Sequence, residues 1–320
     1  MIYDGHCHVA STDFIPEAFI GDVVAGMSRR LAAASAGPAP QRLHDDYVAH
    51  HQDHHADRLV AEMDAAGVAR AVLMVPDFSL VMPTKLGLAE MARRHHDIQR
   101  RHPGRFWVYL GADPRRGPEG ADAFADLLDE YGFDGFKLYP PCGFSPSDRI
   151  VYPYYEVCRS RSLPVFVHTG PTAHSLTFTP AEALLIDQAA RDFPDVTFVL
   201  GHGGVTDVEV TSYLAAYRPN IYLDTGGFAA SPLPGGWPAH LNRLFRMGVN
   251  HKIIFGTDWP LNQLTGGLPR LLGEILEGDE VLAGVPRRDR DLILGGNLLR
   301  VLSPESASVA APGPPPGTVR

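Results

Sequence analysis

Residues 106–139 read FWVYLGADPRRGPEGADAFADLLDEYGFDGFKLY. An aromatic and β-branched run, Phe106–Gly111, gives way to turn residues. A segment with helical spacing follows over Gly120–Tyr131, and then a second strand-like run, Phe133–Tyr139. Strand, helix, strand in this order demands parallel pairing, because a right-handed crossover returns the chain to the same end of the sheet. Working outward, further strand-like runs occupy Met1–Val9, Val68–Val75, Pro164–His168, Val196–His202, Ile221–Thr225 and Lys252–Thr257. Helical periodicity covers Leu59–Ala66, Thr84–His102, Pro180–Phe193, Val208–Tyr217 and His240–Met247. Eight strands alternating with helices predict an α/β fold closed as a (β/α)8 TIM barrel, with function on the loops that follow the strands.

Two segments depart from the repeat. Residues 10–46 are too long for an ordinary βα loop and follow the first strand at the catalytic face, where long loops act as lids or subunit contacts. They make this a distorted barrel with an extended first loop. The chain therefore reads as one domain over 1–302, in which Arg287–Leu302 closes the barrel as an eighth helix. Residues 303–320, rich in Pro, Ala and Gly, read as a flexible tail with too little apolar surface to order itself.

Composition excludes several classes. Of the 320 residues, 45% are hydrophobic and 20% charged, and 28 basic against 37 acidic residues leave a net charge of −9. This balance suits a soluble protein acting on a small molecule and offers no basic footprint for nucleic acid or anionic membranes. No apolar run reaches the roughly 18 residues that a membrane span needs. Three scattered cysteines, Cys7, Cys142 and Cys158, and an amino terminus without signal-peptide order predict a reduced, cytoplasmic protein. Cys142 and Cys158 lack a basic neighbour, Cys7 is expected to face away from the metal, and all three read as structural. A homodimer or higher homo-oligomer is compatible with all of this.

The chemistry lies at the carboxyl ends of the strands. His6 and His8 end the first, Lys137 lies near the end of the fourth, His168 ends the fifth, His202 ends the sixth and Asp258 follows the eighth. Residues two apart on a strand share a face, so both imidazoles of His6-Cys7-His8 enter the barrel mouth while Cys7 faces the helix layer. A third histidine and Asp258 complete a site for one divalent metal, with zinc expected and manganese, iron or nickel as alternatives. A lone strand-end histidine is ordinarily a hydrogen-bonded rim residue, but six titratable groups converging on one mouth need a compensating charge. Tyr139, Phe228, Trp237 and Trp259 follow barrel strands and can line a pocket or pack loops. His50, His51, His54 and His55, spaced i,i+4 among Gln52, Asp53 and Asp57, read as a solvated helix face.

The stretches MIYDGHCHV (1–9), GFKLYPP (135–141), LPVFVHTG (163–170), VLGHGG (199–204), NIYLDTGG (220–227), IIFGTDWP (253–260) and ILGGNLLRVL (293–302) together resemble the amidohydrolase superfamily. They are most similar to the branch that includes aminocarboxymuconate semialdehyde decarboxylase. The resemblance implies a distorted TIM barrel in which His6, His8, His168 and Asp258 bind a catalytic metal, usually zinc, with His202 as a catalytic histidine. It also implies an alternative. KLYP is similar to a stretch of bacterial dihydroorotase, where the lysine is carboxylated and bridges two metals, and Lys137 and His202 would then join the ligands. TatD-type deoxyribonucleases share the His-Cys-His opening but carry a Glu where this chain has Lys137.

The expected reaction is hydrolysis of an amide, lactam or lactone, with Asp258 taking the proton of the attacking water and His202 shuttling a proton or steadying an oxyanion. Non-oxidative decarboxylation of an aromatic or unsaturated acid is the main alternative. It needs a cation for the departing carboxylate, and few arginines follow barrel strands. A non-catalytic barrel would have lost ligand positions, and none is lost here.

Overall fold

The computed structural model describes residues 1–33, 38–233 and 235–303; apart from Ser303, the expected tail lies outside them. Eight parallel strands follow one another in sequence order around the sheet: β1 (Ile2–Cys7), β2 (Val68–Val75), β3 (Phe106–Gly111), β4 (Gly135–Leu138), β5 (Val165–His168), β6 (Phe198–Gly201), β7 (Ile221–Asp224) and β8 (Ile253–Ile254). The eighth strand is shorter than the sequence suggests. Past Ile254 the chain meets β1 irregularly: Gly5 N–H donates to Phe255 O, Asp258 N–H to His6 O and His8 N–H to Trp259 O, all at 2.7–2.8 Å. The buried Asp4 carboxylate takes the Thr257 N–H (3.1 Å) and hydroxyl (2.6 Å) where a backbone carbonyl would otherwise stand. These bonds close the TIM barrel.

Alternation along the strands sorts the apolar residues into two layers. Leu73, Val108, Leu138, Val167, Leu200 and Leu223 face outward into a large cluster with the surrounding helices. Val72, Met74, Trp107, Tyr109, Phe166, Val199 and Ile254 fill the lumen. Arg287–Leu302 forms a short helix (Arg287–Asp291), a π-helical turn (Leu292–Gly296) and a last helix (Asn297–Leu302). Leu298 and Val301 of the last helix join the lumen cluster beside Tyr3 and Trp107, so this segment closes the barrel at the amino-terminal end of the strands. Asn297 ties it to β8 through the carbonyls of Asn250 and Ile253.

At the opposite end, the long first loop is a helical cap of α1 (Glu17–Ala33) and α2 (Pro40–His50), followed by α3 (Asp57–Ala66). Ile15, Ile20, Val24, Leu43 and Tyr47 form a small core of their own, against which Leu261 and Leu264 pack from the loop after β8. Apolar packing thus seats the cap over the mouth. Among the described residues no helix is long and apolar enough to cross a membrane.

Candidate metal centre and substrate cavity

Strand alternation delivers the predicted side chains to one place. His6 Nε2 and His8 Nε2 each lie 3.3 Å from Asp258 Oδ1, and His202 Nε2 lies 3.9 Å from Asp258 Oδ2. Cys7, between the two histidines, is buried in the outer cluster, as the alternation predicts. His168 stands beside them, its ring 4.8 Å from that of His202 and stacked at 4.2 Å on Tyr139.

Hydrogen bonds fix the protonation of each ring. His8 Nδ1 lies 3.1 Å from Met74 O, His202 Nδ1 2.7 Å from Gly226 O, His168 Nε2 3.1 Å from Pro171 O and His6 Nδ1 2.8 Å from Asp224 Oδ2. Each partner is an acceptor, so the nitrogen facing it carries the proton and the other nitrogen keeps a lone pair. His6 Nε2, His8 Nε2 and His202 Nε2 therefore turn lone pairs toward the Asp258 carboxylate, and His168 keeps one on Nδ1. Burial pushes His6 and His168 well below the ordinary histidine range and lowers His202, which keeps the rings neutral. Neutral nitrogen lone pairs crowded on a carboxylate repel it unless a cation lies between them, so this donor set fits a divalent metal. His6, His8 and Asp258 have ligand atoms within 4.8 Å of one another, and so do His6, His202 and Asp224. Asp224 already engages His6 Nδ1 at 2.8 Å, which makes it a support for His6.

The backbone is strained where it aims these groups. His202 and Asp258 both have φ of 57°, a left-handed conformation that costs non-glycine residues about 1–2 kcal/mol. Glycines admit the neighbours: a Cβ at Gly226 would stand 2.5 Å from His6 Nδ1, and one at Gly256 would collide with Asp224 Oδ1.

Above the cluster, α1 and α2 enclose a cavity of about 470 Å³. His8, His168, His202 and Asp258 contribute to its walls, and Ile15, Phe19, Ile20, Val23, Phe78, Tyr139 and Leu261 make most of the remainder apolar. Arg29 and Arg30 reach it only from the exposed end of α1.

Several sequence expectations are corrected. Phe228 and Trp259 do not line this cavity. Asp258 points inward, so Trp259 points outward, its Nε1 donating to Glu62 Oε2 at 3.2 Å, and Phe228 is buried in the outer cluster. Trp237, at the start of a helix, is half-buried against the same cluster. Lys137 is buried below the cavity, its Nζ 4.3 Å from the Phe166 ring centre and without a hydrogen-bond partner; burial lowers it to about 8. The four clustered histidines share no helix face, because α2 ends at His50 and α3 begins at Asp57. His51 is buried and lines the cavity, and Asp53 caps α3 through the N–H groups of Arg58 and Leu59. Cys142 and Cys158 are buried, unpaired thiols. Asp224 escaped the sequence reading, although an acid closing a barrel strand before Gly226-Gly227 is the same signal that singled out His202.

A model of the amidohydrolase family matches residues 3–303. The chain belongs to that family. No curated protein matches the sequence. Among solved structures, an uncharacterised TIM-barrel protein from Bordetella bronchiseptica is similar at 21% identity and TM-score 0.69, over 94% of this chain and 98% of the other. The 4-oxalomesaconate hydratase LigJ from Rhodopseudomonas palustris is similar at 18% and 0.62, over 97% and 98%. A dihydroxybenzoic acid decarboxylase from Polaromonas sp. JS666, solved with manganese and 2-nitroresorcinol, is similar at 18% and 0.62, over 94% and 98%. All three share the barrel fold, and the two named enzymes among them carry out different reactions.

Proposed function

We propose that this amidohydrolase hydrolyses a neutral carbonyl compound, a lactone, lactam or amide, with one divalent metal held by His6, His8, His168 and Asp258. Zinc suits three imidazoles and a carboxylate, and manganese, iron or nickel are alternatives. When bound, the cation supplies Lewis acidity that polarises a carbonyl and acidifies water. Asp258 accepts the proton of the attacking water, and the free lone pair on His202 Nε2 lets that imidazole relay a proton to the leaving group. The tautomer set by Gly226 O thus favours proton transfer over oxyanion donation for neutral His202.

The observation that carries hydrolysis is the cavity wall. Among the described residues no lysine or arginine lines it inside the exposed rim. Away from the metal and the Lys137 floor, a substrate carboxylate would find no cationic partner in this wall, and burying it there costs several kcal/mol. Lys137 supports the second reading, decarboxylation, since a buried ammonium without a partner can hold a carboxylate that reaches the floor. The reactions separate when metal-loaded protein is incubated with lactones, amides and hydroxybenzoates while acid release and CO₂ are followed. Ring opening or amide cleavage is expected. CO₂ release with solvent deuterium at the former carboxyl carbon, and no hydrolysis, establishes decarboxylation. Elemental analysis accompanies it: about one equivalent of metal is expected, and two equivalents with a carboxylated Lys137 would place the chain with the binuclear enzymes.

A further inference from the structure

Tyr47 and His51 form part of the cavity wall together with His8. The end of α2 puts them there and holds them firmly. His51 N–H donates to Val48 O at 2.9 Å, its carbonyl accepts from Thr12 N–H at 3.0 Å, and its Nδ1 lies 2.8 Å from Tyr47 O. A carbonyl only accepts, so Nδ1 carries the proton and Nε2 remains a bare acceptor. The imidazole stacks on the Tyr47 phenol with centroids 4.7 Å apart, and the two residues are only 4% and 3% exposed. Among the described residues no hydrogen bond engages His51 Nε2 or the Tyr47 hydroxyl, and neither atom is shut off from solvent as the Lys137 ammonium is. In a wall otherwise built from groups such as Ile15, Phe19, Ile20 and Leu261, these two polar atoms are free to meet a ligand that displaces water from them.

We infer that Tyr47 and His51 recognise a hydroxyl group that the substrate carries near its reacting carbonyl, an assignment that rests on the hydrolytic reading above. A single hydroxyl donates to His51 Nε2 and accepts from the Tyr47 hydroxyl, so one atom satisfies both. A carboxylate would face the lone pair of His51. The substrate class is then a neutral hydroxylated lactone or amide whose apolar remainder packs against α1.

The test compares γ-nonalactone with its 2-hydroxy derivative on the metal-loaded protein, with binding read by calorimetry and ring opening by pH-stat. The parent is expected to bind the hydroxylated lactone about tenfold or more tightly over its counterpart, in keeping with sites built to hydrogen-bond a substrate hydroxyl. Tyr47→Phe and His51→Leu should each shrink that preference to about twofold or less. His51→Gln, whose amide oxygen still accepts, should keep part of it. Metal content equal to the parent's certifies each variant, and if His51→Leu misfolds, Tyr47→Phe and His51→Gln decide. Equal binding of the two lactones by the parent, binding of neither, or a preference that survives the substitutions overturns the assignment. Preference without ring opening instead removes the hydrolytic reading and leaves the recognition site standing.

Discussion

At the barrel mouth, His6, His8, His168 and His202 sit at or just past strand ends, where sheet pairing and alternation set the direction of each side chain. From the last residue of α2, His50, through the turn that carries His51, His54 and His55, there is no such lattice, and each side chain goes its own way. His51 turns into the cavity, His54 binds Ser11 Oγ at 2.6 Å, and His55 is exposed. The same residue type is thus oriented collectively in one region and individually, by separate local contacts, in the other. Chemistry that needs several groups at fixed spacing belongs on the strands, and contacts that one substrate demands belong in the turn.

This contrast can be broken most sharply by alanine at one site in each region. His6→Ala should take metal from about one equivalent to almost none and abolish activity, since it removes a ligand and leaves Asp224 without its partner. His55→Ala should leave metal content unchanged and stability within about 0.5 kcal/mol. Comparable metal loss from both would mean that the turn histidines hold the metal as well. Within the strand set, His202→Ala should retain metal while kcat falls about 10²- to 10⁴-fold, as for loss of an acid–base group. If elemental analysis shows its metal gone, His202 is a ligand. Within the strand set the smallest effect is expected from Asp224→Asn, which keeps an oxygen near His6 but removes the charge. Metal affinity, measured by chelator competition, should drop about 10- to 100-fold, and an unchanged affinity would deny Asp224 its supporting role.

How far the sequence could be read follows the same division. Period-two alternation placed His6 and His8 inward and Cys7 outward, and the strand-end rule found His168, His202 and Asp258, because backbone pairing makes these directions predictable. Asp224 was missed although the rule covered it. The sequence offers Phe228 and Trp259 to the pocket because the segments after β7 and β8 read as loops at the mouth; the outward turn of Trp259 depends on Asp258 pointing in. His51 was illegible for a deeper reason. Its burial depends on where α2 stops and on the carbonyl of Tyr47, and i,i+4 spacing describes a face only where the helix continues. The plugging of the lumen by Leu298 and Val301 was legible as an amphipathic segment but not as to which end of the barrel it enters.

The closure of the barrel between β1 and the segment after β8 also bears on how the molecule is made. Gly5, His6 and His8 find their backbone partners only when Phe255, Asp258 and Trp259 exist. At ribosomal speeds of roughly 5–20 residues per second, the first strand waits about 10–50 seconds for that neighbour. Through that interval one edge of β1 is open, as hazardous to a nascent chain as any unpaired strand edge. His6 and His8 meanwhile lack the carboxylate of Asp258. The proposed metal site is therefore assembled late in synthesis, and its occupancy would report that translation has run at least as far as Asp258.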